Sequence, residues 1–173
     1  MNKEWSESHF YVLPKIHKSK DILTQINVNP MEYMQMPFPK DLKGRPINGD
    51  VKSVTQGISK MVEKILKPLV PHLKTFIKDE FDFIRKLPRE VPTDFYAVSC
   101  DVTSLYTNIP SDLGLKAIDY WLDKLSDFVP SRFTKDFILE SILFILENNN
   151  FEFDGSMWHQ KTGKPMGKAF APP

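Results

Sequence analysis

Apolar residues spaced three and four positions apart predict a helix in the first half of the chain. The helix would begin just after Ser53, a possible cap, and end at Pro68 and Pro71. Its apolar positions are Val54, Ile58, Met61, Val62, Ile65 and Leu66. A second, shorter helix is predicted near residues 79–87, with Phe81, Phe83 and Ile84 as its apolar residues.

The same spacing predicts two longer helices in the second half of the chain. One follows Pro110, with Ser111 or Asp112 as its cap, and the other follows a Thr134 cap and ends at three asparagines, 148–150. The apolar faces hold Leu115, Ile118, Trp121, Leu122 and Leu125 in the first, and Phe137, Ile138, Ile142, Ile145 and Leu146 in the second. These faces are expected to complete a helical core.

Strand patterns are fewer and shorter. Residues 9–13 form an aromatic and apolar run, and residues 94–102 are rich in aromatic and β-branched side chains without glycine or proline. Asp154 and Gly155 separate two further apolar runs and are typical of a two-residue hairpin turn. Proline, glycine and asparagine cluster between residues 19 and 50, which predicts a long irregular segment. The whole pattern predicts an α+β fold, rich in helix, with a small antiparallel sheet.

Composition narrows the class of protein. The chain has 173 residues, 41% hydrophobic and 26% charged, and this balance excludes a disordered or fibrous chain. No apolar run approaches the roughly 20 residues of a membrane span, so no membrane partner is expected. The single cysteine, Cys100, has no internal disulfide partner, and an intracellular location is expected.

Charge is unevenly distributed along the sequence. Residues 40–89 carry a net charge of +6 and residues 90–173 carry −5, although the whole chain carries only +1. A basic stretch can bind a polyanion, and an acidic stretch can bind a cation. Two solvated faces of opposite sign are the alternative interpretation.

Asp101 is the first candidate for chemistry, because it lies at the end of an otherwise apolar or neutral predicted strand. A carboxylate is costly to bury there unless it is paired or bound to a metal ion. It could therefore be a Mg²⁺ ligand, or it could cap the following turn through the amides of Thr103 or Ser104.

The residues around Asp101 belong to an ordered set of motifs. Residues 101–110 have the sequence Asp-Val-Thr-Ser-Leu-Tyr-Thr-Asn-Ile-Pro. The other segments of the set are 10–18, 44–47, 66–70, 76–79 and 82–84 upstream, and 150–153 and 160–167 downstream, closing on Ala171-Pro172. In this order the set resembles the reverse transcriptases of Penelope-like retroelements, from about residue 9 to the last residue.

The resemblance implies the fingers and part of the palm of a right-hand polymerase. Residues 1–92 would be the fingers-like region and residues 93–173 the partial palm. The implied partners are an RNA template, a DNA primer and deoxynucleoside triphosphates, with Mg²⁺ as the cofactor and the nucleus as the location. The implied reaction is two-metal nucleotidyl transfer, in which the primer 3′ hydroxyl attacks the nucleotide.

The resemblance also implies roles for individual residues. Asp101 would be the catalytic carboxylate and a Mg²⁺ ligand, with the Val102 carbonyl as a second ligand. Arg45 would hold the triphosphate, because its planar guanidinium can bind phosphate oxygens bidentately. Lys15 or Lys18 would assist it, with ordinary surface charge as the alternative for these lysines.

Tyr106 matches the aromatic steric gate that excludes a ribose 2′ hydroxyl, although a core tyrosine is the alternative. The 163–172 stretch resembles the element under the templating base pair, where Met166 and Gly167 would contact the nucleotide. The candidates for contact with the nucleic-acid strands are Lys52, Lys60, Lys78 and Gly163.

The second carboxylate motif of the resemblance, an Asp-Asp hairpin downstream of Ala171-Pro172, is not in the sequence. We therefore expect a fragment of the polymerase, truncated before that hairpin, that is inactive alone and binds Mg²⁺ weakly. Its sheet would have an unpaired edge, and the apolar faces near Val98 and Val102 would be uncovered and open to self-association.

Two other functions stay open. A non-catalytic nucleic-acid-binding module derived from a retroelement would use the basic segment 40–89 to bind phosphates. An interaction domain would have no nucleic-acid role.

Overall fold

The computed structural model describes residues 5–170. In chain order, its strands and helices are β1 (Phe10–Pro14), α1 (Lys20–Val28), β2 (Gly44–Asn48), α2 (Gln56–Leu66), α3 (Glu80–Lys86), α4 (Leu105–Asn108), α5 (Ser111–Lys124), α6 (Lys135–Glu147), β3 (Asn150–Phe153) and β4 (Ser156–His159). Short 3₁₀ turns cover Ile16–Lys18, Tyr33–Gln35, Lys67–His72 and Ser126–Phe128. The coarse prediction of an α+β fold is confirmed. The predicted motif end, Ala171-Pro172, lies outside the described residues.

The hydrophobic core lies between α2, α5 and α6. Its buried apolar residues are Val62, Ile65, Leu69, Leu122, Ile138, Ile142, Ile145 and Phe170. Apart from Leu69 and Phe170, they occupy the helix faces that the spacing predicted. The core joins helices from both predicted regions of the chain, and the division near residue 92 stays a prediction.

Two predicted helix boundaries are confirmed by their caps. The Thr134 hydroxyl accepts a hydrogen bond from the Phe137 N–H at 3.2 Å, at the start of α6. The Asp79 carboxylate accepts one from the Asp82 N–H at 2.8 Å, at the start of α3. In both cases the side chain satisfies an N–H group that has no partner within the helix.

The other two predicted caps are wrong. Helix α2 begins at Gln56, and the Ser53 hydroxyl instead donates to the Asp50 carboxylate. Helix α5 is preceded by Pro110, whose fixed φ suits a helix start, so the serine and aspartate that follow lie inside the first turn. Both errors moved a boundary by a residue or two. Val54, predicted on the apolar face of α2, lies before the helix and is exposed, while Val62 and Ile65 are buried as predicted.

The predicted hairpin is confirmed as β3 and β4, which pair antiparallel. Its two turn residues, Asp154 and Gly155, have φ values of 51° and 67°, the left-handed conformation that this tight turn requires. Strands β1 and β2 form the other antiparallel pair. The Glu152 N–H donates to the Ser8 carbonyl at 2.7 Å, and this contact brings the hairpin beside the start of β1.

Residues 19–50 are more regular than predicted, because they contain α1 and β2. The Ser19 hydroxyl accepts a hydrogen bond from the Ile22 N–H at 3.2 Å and donates one to the Asp41 carboxylate at 2.7 Å. Ser19 is therefore both the cap of α1 and its attachment to the returning loop. The high content of proline and asparagine in residues 19–50 led to the prediction of an irregular segment, so this short helix was missed.

The predicted strand over residues 94–102 is wrong. Its one backbone hydrogen bond within the described structure runs from the Phe95 N–H to the Pro92 carbonyl, at 3.1 Å. Side chains along it are open to solvent, with Tyr96 86%, Val98 81% and Val102 62% exposed. A segment with the composition of a strand forms one only when it pairs with a neighbouring strand, and no strand among residues 5–170 lies beside this segment. Val98 and Val102 are uncovered, but they are not part of a sheet face as expected, and self-association through them stays a prediction.

Lys168 is buried beside Asp50, although both side chains carry charge. Its Nζ atom lies 2.8 Å from Asp50 Oδ1 and 2.7 Å from the Thr55 hydroxyl, and the residue is only 2% exposed. Burial of an ammonium group is tolerated when partners replace its water. The pair fixes the chain after residue 163 to the turn that precedes α2.

We predict that Lys168→Met lowers the free energy of unfolding by about 3–5 kcal/mol, because it leaves the Asp50 carboxylate buried without a counter-charge. Urea unfolding followed by circular dichroism measures this loss. Lys135→Met is the matched control, since Lys135 binds Asp119 at 2.8 Å in a more exposed position and should cost much less. Equal losses in the two variants would contradict a structural role for the buried pair.

Candidate functional site

A glycine loop, residues 163–167, lies against α4. A Cβ atom built on Gly163 would lie 2.7 Å from both the Thr107 Cα and the Tyr106 carbonyl oxygen. The Lys164 N–H donates to the same carbonyl at 2.6 Å. Gly163 also has a φ of 78°, which favours glycine. The absence of a side chain at residue 163 therefore permits the close approach to Tyr106.

The other end of the glycine loop lies against β2. Gly167 has a φ of 114°, and a Cβ atom there would collide with the Asn48 carbonyl. The Asn48 N–H donates to the Met166 carbonyl at 2.8 Å. The loop therefore contacts the strand that carries Arg45 as well as the helix that carries Tyr106.

A chain of amide side chains supports the glycine loop from behind. Asn48 Nδ2 donates to Asn149 Oδ1 at 2.7 Å, and Asn149 Nδ2 donates to Gln160 Oε1 at 2.9 Å. Gln160 Nε2 then donates to the Thr162 carbonyl at 2.9 Å. Sequence reasoning missed these supporting side chains. The feature of the sequence that could have revealed them is the run of asparagines between α6 and β3. One of these asparagines, Asn149, is buried where the chain turns from the helix into the strand.

The predicted phosphate-binding residues lie at one end of the β1–β2 pair. Arg45 is exposed on β2 and pairs with Leu13 of β1. Lys15 follows Leu13 by two residues and is half-buried. The backbone N–H of Lys15 donates to the Lys43 carbonyl at 2.8 Å. Lys18 is exposed in the following 3₁₀ turn. The strand register thus places Arg45 and Lys15 close together along the ladder.

The predicted metal ligands lie in the unpaired segment. Asp101 and Val102 are exposed, and no hydrogen bond or ion pair within residues 5–170 involves the Asp101 carboxylate. The expectation that Asp101 ends a strand is wrong, and so is the argument that it must be paired because it is buried. Tyr106, five residues later, is half-buried in α4 and contacts the glycine loop through its backbone.

The fit of this site to Mg²⁺ is incomplete. Carboxylate and carbonyl oxygens are the kind of ligand that Mg²⁺ prefers, and Asp101 with Val102 offers both. No group of three or more histidine, cysteine, aspartate or glutamate side chains in the described part of the chain could hold a metal ion together. Asp101 and Val102 therefore offer the right type of ligand atom for Mg²⁺, but too few of them to complete its coordination.

The predicted nucleic-acid contacts lie on separate elements. Lys52 is exposed in the turn before α2, with a φ of 61°, and Lys60 is exposed on α2 itself. Lys78 is exposed just before α3, and its N–H donates to the Asp82 carboxylate at 3.0 Å. Gly163 is buried in the glycine loop. The structure therefore groups Gly163 with Tyr106 and leaves the three lysines on separate segments.

Lys164 is an unusual member of the glycine loop, because its side chain is partly buried over α5. A Cβ atom built on Gly114 would lie 3.4 Å from its Cε and 3.9 Å from its Nζ. Burial lowers the pKa of Lys164 below its ordinary value of 10.5. No carboxylate within residues 5–170 forms an ion pair with it to offset that burial.

Comparison with known proteins found no relative. No family model matches the sequence, and no similar chain was found among the curated proteins or the solved structures. Across residues 5–170, no helix combines the length and the apolar character needed to cross a bilayer.

We predict that Gly163→Ala destabilises the protein by at least about 1 kcal/mol more than Gly155→Ala, as measured by urea unfolding. The control is closely matched, because Gly155 has a similar φ of 67° but has open space where the Cβ would be added. Both variants bear the cost of a left-handed conformation, and only Gly163→Ala forces α4 and the loop apart. Equal effects would contradict the close packing of the loop on α4.

We predict that Lys164→Met is more stable than the unsubstituted chain at pH 7, and that this difference shrinks as pH rises toward 10.5. The unfolded chain binds the Lys164 proton more tightly than the folded chain does, because burial lowers the folded pKa. Stability therefore rises with pH in the window between the lowered pKa and 10.5. Urea unfolding of both proteins at several pH values measures the difference, and a constant difference would contradict the burial of the charged amine.

Proposed function

We propose that this chain carries the fingers and part of the palm of an RNA-directed DNA polymerase similar to the reverse transcriptases of Penelope-like retroelements. The observation that supports this most is the position of the glycine loop. Its two ends contact the Tyr106 backbone and the strand of Arg45, so motifs that are far apart in sequence meet in space. The polymerase resemblance requires such a meeting, because these motifs would surround one nucleotide.

In this proposal each residue acts on a different part of the nucleotide. Arg45, assisted by Lys15 or Lys18, binds phosphate oxygens through charge-assisted hydrogen bonds. Tyr106 lies under the sugar, where its ring leaves no room for a 2′ hydroxyl. Met166 and Gly167 lie under the base pair.

Asp101 and the Val102 carbonyl offer oxygen ligands to Mg²⁺, which stabilises the negative charge of the reacting phosphates when it is bound. Because the described residues supply too few ligands, we expect this chain alone to bind nucleotide and nucleic acid without extending a primer.

A non-catalytic nucleic-acid-binding module is the second candidate function. The exposed Asp101 carboxylate, which has no hydrogen-bond or ion-pair partner within residues 5–170, favours it, because phosphate binding by basic residues needs no metal ligand. In that case an RNA template and a DNA primer would still be bound. Substitution of Asp101 by alanine would then leave the affinity for a primer–template duplex unchanged.

We predict that an azido-substituted deoxyadenosine triphosphate, activated by light in the presence of Mg²⁺, labels peptides from residues 101–107 and 163–167. Arg45→Ala should lower the labelling about tenfold, because a hydrogen bond to a charged group contributes about 1.5–3 kcal/mol. Arg85→Ala is the matched control, since Arg85 is an exposed arginine on α3.

Labelling is measured by mass spectrometry of the digested protein. Equal labelling of the Arg45 and Arg85 variants, or label spread evenly over the surface, would contradict the nucleotide site. Retained binding of a primer–template duplex in that case would favour the non-catalytic module.

A further inference from the structure

A basic groove lies between α2 and the segment that joins α5 to α6. It has a volume of about 310 Å³ and is lined by Lys60 and Lys64 of α2 and by Arg132 of the joining segment. Met61, Ile65 and Phe133 are among the residues that form its apolar floor. None of the lining residues in the described part of the chain is acidic. The groove thus presents cations from two parts of the chain on a concave surface.

The cations of the basic groove have no carboxylate partners within residues 5–170. The nearby Glu63 instead pairs with Lys67, at 3.7 Å. Lys60 and Lys64 lie four residues apart on one face of α2, about 6 Å apart along its axis. Like charges at this spacing repel each other and destabilise a helix. An anionic ligand would relieve that repulsion.

The groove is held in shape by the packing around it. Ile65 is 3% exposed and belongs to the hydrophobic core, which fixes the floor. The Arg132 guanidinium lies 4.8 Å from the centre of the Phe133 ring, and this contact orients the planar group. A preformed site loses little conformational entropy when a ligand binds.

We propose that this basic groove binds the phosphate backbone of a nucleic-acid strand along α2. The proposal rests on the proposed function only in taking nucleic acid as the partner, and the residues that line the groove differ from those proposed to hold the nucleotide. Arg132 is its distinctive member, because a guanidinium can bind two phosphate oxygens at once. Arg132 lies in the acidic part of the sequence, where the net charge of the segment gave no indication of an anion site. Contacts to phosphate alone imply binding without base specificity.

The test is fluorescence anisotropy with a labelled single-stranded oligonucleotide, titrated at several salt concentrations. We predict that the double variant Lys60→Gln/Lys64→Gln binds at least about tenfold more weakly. For this variant, the slope of log affinity against log salt concentration should become about 1.4 less steep, because each contact with a single-strand phosphate contributes about 0.7 to the slope. Arg132→Gln should weaken binding in the same direction. The matched control is Lys116→Gln/Lys124→Gln, which removes the same charge from exposed positions of α5.

A second measurement locates the contact directly. Bound oligonucleotide should protect Lys60 and Lys64 from acetylation, and should leave Lys116 reactive. The unsubstituted chain could bind the oligonucleotide while the groove substitutions weaken binding no more than the α5 control does. That result would overturn the groove as the binding surface and leave the proposed nucleotide site intact. Equal displacement of the oligonucleotide by polyglutamate would overturn nucleic acid as the ligand and indicate an acidic protein partner. No binding at all would overturn the groove, while the labelling experiment would still decide the nucleotide site separately.

Discussion

The close approach of two backbones to the glycine loop is the constraint on which the candidate site depends. Gly163 lies where any side chain would collide with α4, and Gly167 lies where any side chain would collide with β2. These two contacts bring together segments that are more than 50 residues apart in sequence. They connect the strand that carries Arg45 to the helix that carries Tyr106.

Polar interactions help to hold this loop in place. The Lys168–Asp50 pair attaches the chain just after the loop to the turn before α2, and the amides of Asn48, Asn149 and Gln160 support the loop from behind. Such buried polar groups favour the arrangement of the loop that gives them partners. Among the described residues, Asn48 Oδ1 and Asp50 Oδ2 are buried without a hydrogen-bond partner. The helical core provides the scaffold, and the polar contacts set the geometry of the site.

The sequence predicted what depends on local pattern and missed what depends on a partner distant along the chain. Core positions such as Val62 and Ile142 followed from helical spacing, and the Asp154–Gly155 turn followed from its residue types. The 94–102 segment has the composition of a strand, but composition does not supply the neighbouring strand that pairing requires. The burial of Lys168 was equally hidden, since a lysine is normally exposed and periodicity says nothing about its ion-pair partner. Arg132 could be recognised only once the fold placed it opposite α2.

We propose that the 101–107 segment, the glycine loop and β2 form one nucleotide site. The most direct measurement is paramagnetic broadening of amide NMR signals by Mn²⁺ in the presence of a deoxynucleoside triphosphate, with Mg²⁺ as the diamagnetic reference. The account predicts that signals from residues 45–48, 101–107 and 163–167 broaden together and that signals from α5 persist. Broadening centred on the exposed aspartates of α5, with those three segments unaffected, would contradict it.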